Sequence, residues 1–166
     1  MKTTRIGALL AFTLATVGAV GVVFVAAPAG AATTNPCKVL KKSEIQQAFG
    51  GTVSSGKKGI STPVSAQCEF NVGANGDRPD GTVTVHVMTT GAKLAYTGLK
   101  KTSAYVPIDG VPNSLYAEKL HVVDILQGNT LVGVQGGFVI TTPLPIHFYD
   151  DKTQLTDLAQ TAAKRV

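Results

Sequence analysis

Thr82-Val83-Thr84-Val85-His86-Val87-Met88 alternates without a break, putting Val83, Val85 and Val87 on one face and Thr82, Thr84 and His86 on the other. Period-two alternation is the signature of a half-buried β-strand, so a sheet with one apolar and one wetter face is the organising element of this chain. Upstream, a strand is expected from Ala66 to Val72, joined to the first by a turn from Ala74 to Gly81 rich in Asn, Gly, Asp and Pro. Downstream, Leu120 to Gln127 and Thr130 to Gln135 are apolar runs joined at Gly128 and Asn129, two residues that tolerate the positive φ of a tight hairpin.

Helices frame these strands. Ser43 is expected to cap a short helix that buries Ile45 and Phe49 and stops at Gly50 and Gly51. A middle helix is expected from Ala92 to Lys101, with Leu94, Ala95 and Leu99 at helical spacing. In the last helix, Asp151 and Gln154 have the spacing of a capping box, Leu155, Leu158, Ala159 and Ala162 form the buried stripe, and Lys164 and Arg165 suit the negative end of the helix dipole. The remaining stretches read as loops. Lys and Gly around Gly56 to Gly59, followed by Pro63, predict one loop, and Pro107, Asp109, Gly110, Pro112 and Asn113 predict a structured loop from Tyr105 to Tyr116. Gly136 and Gly137 predict a bulge or tight bend before a strand from Phe138 to Thr142, which Pro143 and Pro145 punctuate. The sum is α+β: an antiparallel sheet of four to six strands with a short N-terminal helix, a middle helix and a C-terminal helix packed on it.

The first 31 residues have a different character. Lys2 and Arg5 precede an uncharged apolar run from Ile6 that closes on Ala29, Gly30 and Ala31, the three-part order of an export signal with cleavage expected after Ala31. The run is also long enough to span the roughly 20 residues of a bilayer, but Gly18, Gly21 and Pro28 beside a small-residue site favour cleavage over a retained anchor. Both alternatives place the C-terminal domain on the same side of the membrane, because the N-terminal cations stay inside. The division is thus 1–31 signal peptide, 32–36 flexible leader and 37–166 one disulfide-stapled domain, secreted or retained loosely at the cell wall. Thr34, Asn35 and Pro36 are not the apolar run of a lipoprotein site, so Cys37 is not read as a lipid anchor.

Export governs the cysteines and the charge. Cys37 and Cys68 are the only two, 31 positions apart, and in an oxidising destination they are expected to form one bridge. Loss of Lys2 and Arg5 leaves 13 basic against 10 acidic residues, a mature charge of +3. The basic residues fall in scattered pairs, as at Lys41 and Lys42 or Lys57 and Lys58, without the concentrated patch and interleaved aromatics of a nucleic-acid reader. No nucleic-acid partner, no stable membrane anchor after cleavage and a monomeric state are expected. His86, His121 and His147 are isolated in the sequence, which predicts neither a metal site nor a cofactor.

Pro36 and Cys37, then Val39, Leu40, Ser43, Glu44 and a helix ending at Phe49 and Gly50, then Cys68 with Phe70, resemble uncharacterised actinobacterial envelope proteins. Gly110, the hairpin at Gly128, and Leu158 and Ala159 extend the resemblance more loosely. Those proteins are mostly lipoproteins, and their domain is similar to extracellular sensor domains of mycobacterial receptor kinases. The resemblance implies the disulfide and the fold. It implies no activity, and the missing lipid-bearing cysteine implies release where those proteins are tethered.

Candidate chemistry is sparse. His147 stands near Asp150 and Asp151, a start for a hydrolase, but no G-x-S-x-G elbow supplies a serine, and a solvated strand end accounts for it. His86 belongs to the more polar face of its strand. Asp124 interrupts the apolar run from Val122 to Leu126, where an unpartnered charge would be costly, so it faces water or has a partner. Asn75, Asp77 and Asp80 lack the spacing of a calcium loop. Tyr105 and Tyr116 flank the Pro- and Gly-containing loop, and with His121 they form the expected ligand-binding residues, although two such tyrosines serve equally to close a small core that has no tryptophan. The function these features predict is a non-catalytic binding domain of the envelope or extracellular space, taking a small apolar or amphipathic ligand or another envelope protein. The alternatives are an inhibitor presenting the Gly56 to Pro63 loop to a protease, or a small hydrolase built on His147.

Overall fold

Val83, Val85 and Val87 are buried and the residues between them half-exposed, so the alternation of 82–88 is realised in a strand, β3 (Gly81–Met88). The computed structural model describes residues 34–140, 147–148 and 151–166; the expected signal segment, and Thr141, Thr142, Pro143, Pro145 and Asp150, lie outside them. The other strands are β1 (Lys57–Ser61), β2 (Ser65–Val72), β4 (Val106–Pro107), β5 (Ser114–Ala117), β6 (Val122–Gln127), β7 (Thr130–Ile140) and β8 (His147–Phe148). Seven of them form an antiparallel sheet in the order β1-β2-β3-β7-β6-β5-β4, with β8 paired to the end of β7. The class is α+β as expected, and the sheet exceeds the expected four to six strands.

The added strands come from stretches that lack alternation. All five residues of β1 are exposed, so 57–61 carries no apolar period and reads as loop until its pairing with β2 is seen. β5 is buried on both faces and β4 is two residues long, so the expected loop from Tyr105 to Tyr116 contains two strands that periodicity does not reveal. β7 runs straight through Gly136 and Gly137 in unbroken register with β3, from Gly81 opposite Phe138 to Met88 opposite Leu131. The bend expected there is absent. The β6–β7 hairpin does turn at Gly128 and Asn129, with φ of +59° at Gly128, which is the first central position of a type II′ turn.

One face of the sheet carries the core. Helices α1 (Pro36–Val39), α2 (Lys42–Phe49) and α4 (Lys152–Ala163) bring Val39, Leu40, Ile45, Phe49, Leu155, Leu158 and Ala162 against Val83, Val85, Val87, Val123, Val132 and Val134. Helix α3 (Ala92–Lys100) packs against β6 and β7. Of the apolar residues at helical spacing, Leu94 is 80% exposed, and the residue that α3 buries is Ala92. No helix among the described residues is long and apolar enough to cross a membrane.

Cys37 in α1 is bonded to Cys68 at the buried face of β2, fastening the N-terminal segment to the sheet. Asn35 caps α1 through its side-chain oxygen, which accepts the Cys37 N–H at 3.1 Å. The residue preceding α2 is Lys41 rather than Ser43, and its N–H is satisfied by the Glu44 carboxylate at 2.7 Å. Glu44 also receives Arg165 from beyond the end of α4, at 2.8 Å from Nη1 to Oε2, and the same Nη1 donates to the Val39 carbonyl. Both ends of the domain therefore meet at one ion pair, and the guanidinium holds the Glu44 carboxyl down at about 2.

Arg78, in the turn between β2 and β3, is buried. Its guanidinium donates to the carbonyls of Phe49, Gly73 and Pro79 and lies 4.7 Å from the centroid of the Phe138 ring. A cation at the carbonyl end of α2 is favoured by the helix dipole, and the aromatic faces take the rest of its surface. The turn is thereby bolted to the core, with Asn75 and Arg78 bridging its ends.

Candidate functional site

The alternation that buries Val123 and Ile125 on the helical face of β6 sends Asp124 to the opposite face. Register decides what it meets there. On β7, Gly133 stands opposite both His86 of β3 and Asp124 of β6. With no side chain between them, the imidazole reaches across, and His86 Nε2 lies 2.8 Å from Asp124 Oδ1. A Cβ on Gly133 would stand 1.8 Å from His86 Cε1 and 2.4 Å from Asp124 Oδ1. An ionised carboxylate only accepts hydrogen bonds, so this contact places a proton on Nε2. The Asp124 side chain is buried, whereas that of His86 remains 27% exposed. Tyr105 approaches the same carboxylate. Burial pushes its phenol pKa up, and the charge of Asp124 and a hydrogen bond to it add to the rise.

A second pair uses the same device on a different part of β7. The 3-10 turn Glu118–Leu120 ends at His121, which adopts the left-handed region with φ of +47°. There its carbonyl accepts the Gly136 N–H at 2.9 Å and its Nδ1 lies 3.0 Å from Asp151 Oδ1. A Cβ on Gly136 would come within 2.0 Å of Asp151 Oδ2. Asp151 does precede α4, and its carbonyl accepts the Leu155 N–H, but its side chain makes no capping bond. The capping box expected with Gln154 is replaced by a buried tie between α4 and the β5–β6 connection.

Beside this second pair opens a groove of about 1110 Å³, lined by Ser103, Ala104, Val106, residues 116–121 and Lys152. Two of its large apolar side chains stand half in solvent, Val106 at 50% and Leu120 at 49% exposure. Tyr116 and His121 line it, and the Lys152 ammonium sits 5.2 Å from the Tyr116 ring centroid. Of the three residues expected to bind ligand, Tyr116 and His121 come together here. Tyr105 does not line the groove, because its side chain is taken by Asp124 instead.

The chain matches no protein-family model, no curated protein and no solved structure.

Sequence reasoning missed Val106, Leu120 and Lys152 as groove residues and both histidine–aspartate pairs. The one usable signal was Asp124 inside an apolar run; its partner lies 38 residues away and is found only through register. His147 belongs to β8, and the surroundings of its side chain lie outside the described residues. Among the described residues no three His, Cys, Asp or Glu side chains gather in one place, as a protein-held transition metal would require.

Proposed function

We propose that this chain is a small exported binding domain whose ligand is an amphipathic small molecule held in the groove lined by Ser103, Ala104, Val106, residues 116–121 and Lys152. The observation that carries the reading is that Val106 and Leu120, each half-exposed, both line one concave site that also carries Lys119, His121 and Lys152. Binding pockets combine apolar walls with a few fixed polar groups, and their volumes run from about 300 to 1,000 Å³; this groove, at about 1110 Å³, lies just above that range. His121 is held in place by Asp151, Tyr116 is a buried lining residue, and Lys119 and Lys152 outnumber Glu118 in the lining, leaving it net positive. An apolar chain or ring against Val106 and Leu120, with a polar or anionic group toward the lysines, satisfies both halves of the site.

The disulfide between Cys37 and Cys68 fits an oxidising destination, and the N-terminal segment has the pattern of an export signal. The reading also suits the envelope proteins that the Cys37 and Cys68 regions resemble. Titration with the amphipathic fluorophore anilinonaphthalene sulfonate tests it. Enhanced emission is expected from the disulfide-bonded protein, with affinity about tenfold weaker after Val106→Asp with Leu120→Asp. Emission unchanged by that double substitution would place binding elsewhere and overturn the reading.

A further inference from the structure

The hairpin of β1 and β2 has properties that neither the core nor the groove uses. Residues 57–64 are eight consecutive exposed positions, and they include Ile60 at 71% and Val64 at 42% exposure. Isolated exposed apolar residues are ordinary; two on one hairpin tip, backed by two lysines, are not. Lys57 and Lys58 stand just behind Ile60, and residues 57–65 contain no acid. The nearest carboxylate on β2, Glu69, is opposite Lys57 at the base of the hairpin and away from the tip.

The tip is also held in shape. Thr62 N–H donates to the Ser65 carbonyl at 2.7 Å, and the Thr62 hydroxyl oxygen accepts the N–H groups of Val64 and Ser65 at 3.3 and 3.0 Å. The Val64 carbonyl in turn accepts the Thr89 N–H at 3.1 Å, tying the tip to the end of β3. Ile60 and Val64 are therefore presented by a braced turn, with little ordering left to be done on contact.

We propose that this tip is a docking element for an anionic lipid surface: Ile60 and Val64 enter the interfacial layer and Lys57 and Lys58 meet the phosphates behind them. Apolar residues with basic neighbours are the combination that binds reversibly at such an interface, and each lysine near it adds to the attraction. The alternative use of an outer strand, addition of a partner's strand to its free edge, is opposed by the backbone itself. The pairing of β1 with β2 shifts register between Lys58 and Ser61, an irregularity that twists an edge away from further pairing, and lysines on an edge have the same effect. The side chains, not the edge, are what this hairpin offers.

Co-sedimentation of the disulfide-bonded protein with vesicles tests the proposal, comparing phosphatidylcholine alone with phosphatidylcholine mixed with phosphatidylglycerol. Binding to the anionic vesicles at low salt is expected, about tenfold weaker after Ile60→Ser with Val64→Ser and about tenfold weaker after Lys57→Gln with Lys58→Gln. All four positions are exposed, so the variants retain the fold, and their circular dichroism serves as the check. Absence of vesicle binding overturns the proposal. Binding undiminished by Ile60→Ser with Val64→Ser also overturns it, because the attraction is then charge alone or belongs to another face. Concentration-dependent self-association that the same double variant abolishes would assign the tip to a second copy of the chain instead.

Discussion

His86 Nε2 and Asp124 Oδ1 meet at 2.8 Å above Gly133, a residue of the strand that separates theirs. The glycine is what allows the contact: any side chain at that position occupies the space the imidazole crosses. The same strand repeats the arrangement at Gly136, where the missing side chain leaves room for the Asp151 carboxylate. Two glycines that a strand would ordinarily avoid are thus accounted for by two histidine–aspartate pairs.

Gly133→Ala is expected to destabilise the protein by about 3 kcal/mol, since it overpacks the sheet face and parts a half-buried pair. Gly98, inside α3, is the control. A Cβ there meets nothing within 4 Å, so Gly98→Ala should stabilise by about 0.5–1 kcal/mol through helix propensity. Urea unfolding of the two variants checks both signs. Equal effects from both would mean that His86 and Asp124 do not depend on the clearance.

Asp151 separates capping from pairing. Serine is as good an N-cap as aspartate, so if the residue served only α4, Asp151→Ser would be nearly neutral. Because the carboxylate holds His121, the substitution is expected to cost about 2 kcal/mol, and Asp151→Ser with His121→Ala should show strong coupling in a double-mutant cycle. Additive effects would reject the tie.

Acid stability depends on Glu44. Its carboxyl is lowered from 4.5 to about 2, first by the hydrogen bond from Arg165, while burial opposes the shift. A depressed carboxyl stabilises the folded state above its unfolded pKa, and this contribution is lost as pH falls from about 4.5 toward 2. Both side chains are partly exposed, at 24% for Glu44 and 33% for Arg165, so screening reduces the effect to roughly 1–2 kcal/mol. Thermal unfolding followed across that range should show a slope that flattens in Glu44→Gln. An unchanged slope would move the acid sensitivity to another carboxylate.

Tyr105 provides a spectroscopic handle on the Asp124 cluster. Its phenol is raised by burial and then by Asp124, so the folded protein holds that proton more tightly than the unfolded chain does. The stability this supplies is present below about pH 10 and lost as pH rises through the folded value. In an absorbance titration of the four tyrosines at alkaline pH, a late-ionising step should vanish in Tyr105→Phe and move to lower pH in Asp124→Asn. A late step that survives Tyr105→Phe belongs to a different tyrosine.

Local pattern settled whatever depends on neighbours in sequence. The period of Val83, Val85 and Val87 set a strand and its buried face, Gly128 set a turn, and the stripe of Leu155, Leu158 and Ala162 set a helix, because each is a property of a few consecutive residues. Two cysteines behind a segment with the pattern of an export signal left one bridge to form. The tertiary structure alone decided the rest. β1, with every residue exposed, and β5, with every residue buried, carry no alternation to read, so the sheet is wider than its pattern announces. Periodicity gives the face on which a residue lies; register across strands gives the residue it meets. That is why Asp124 was visible as an anomaly while His86, 38 residues away, was not visible as its partner, and why Asp151 looked like a cap until the fold brought His121 to it from 30 residues away.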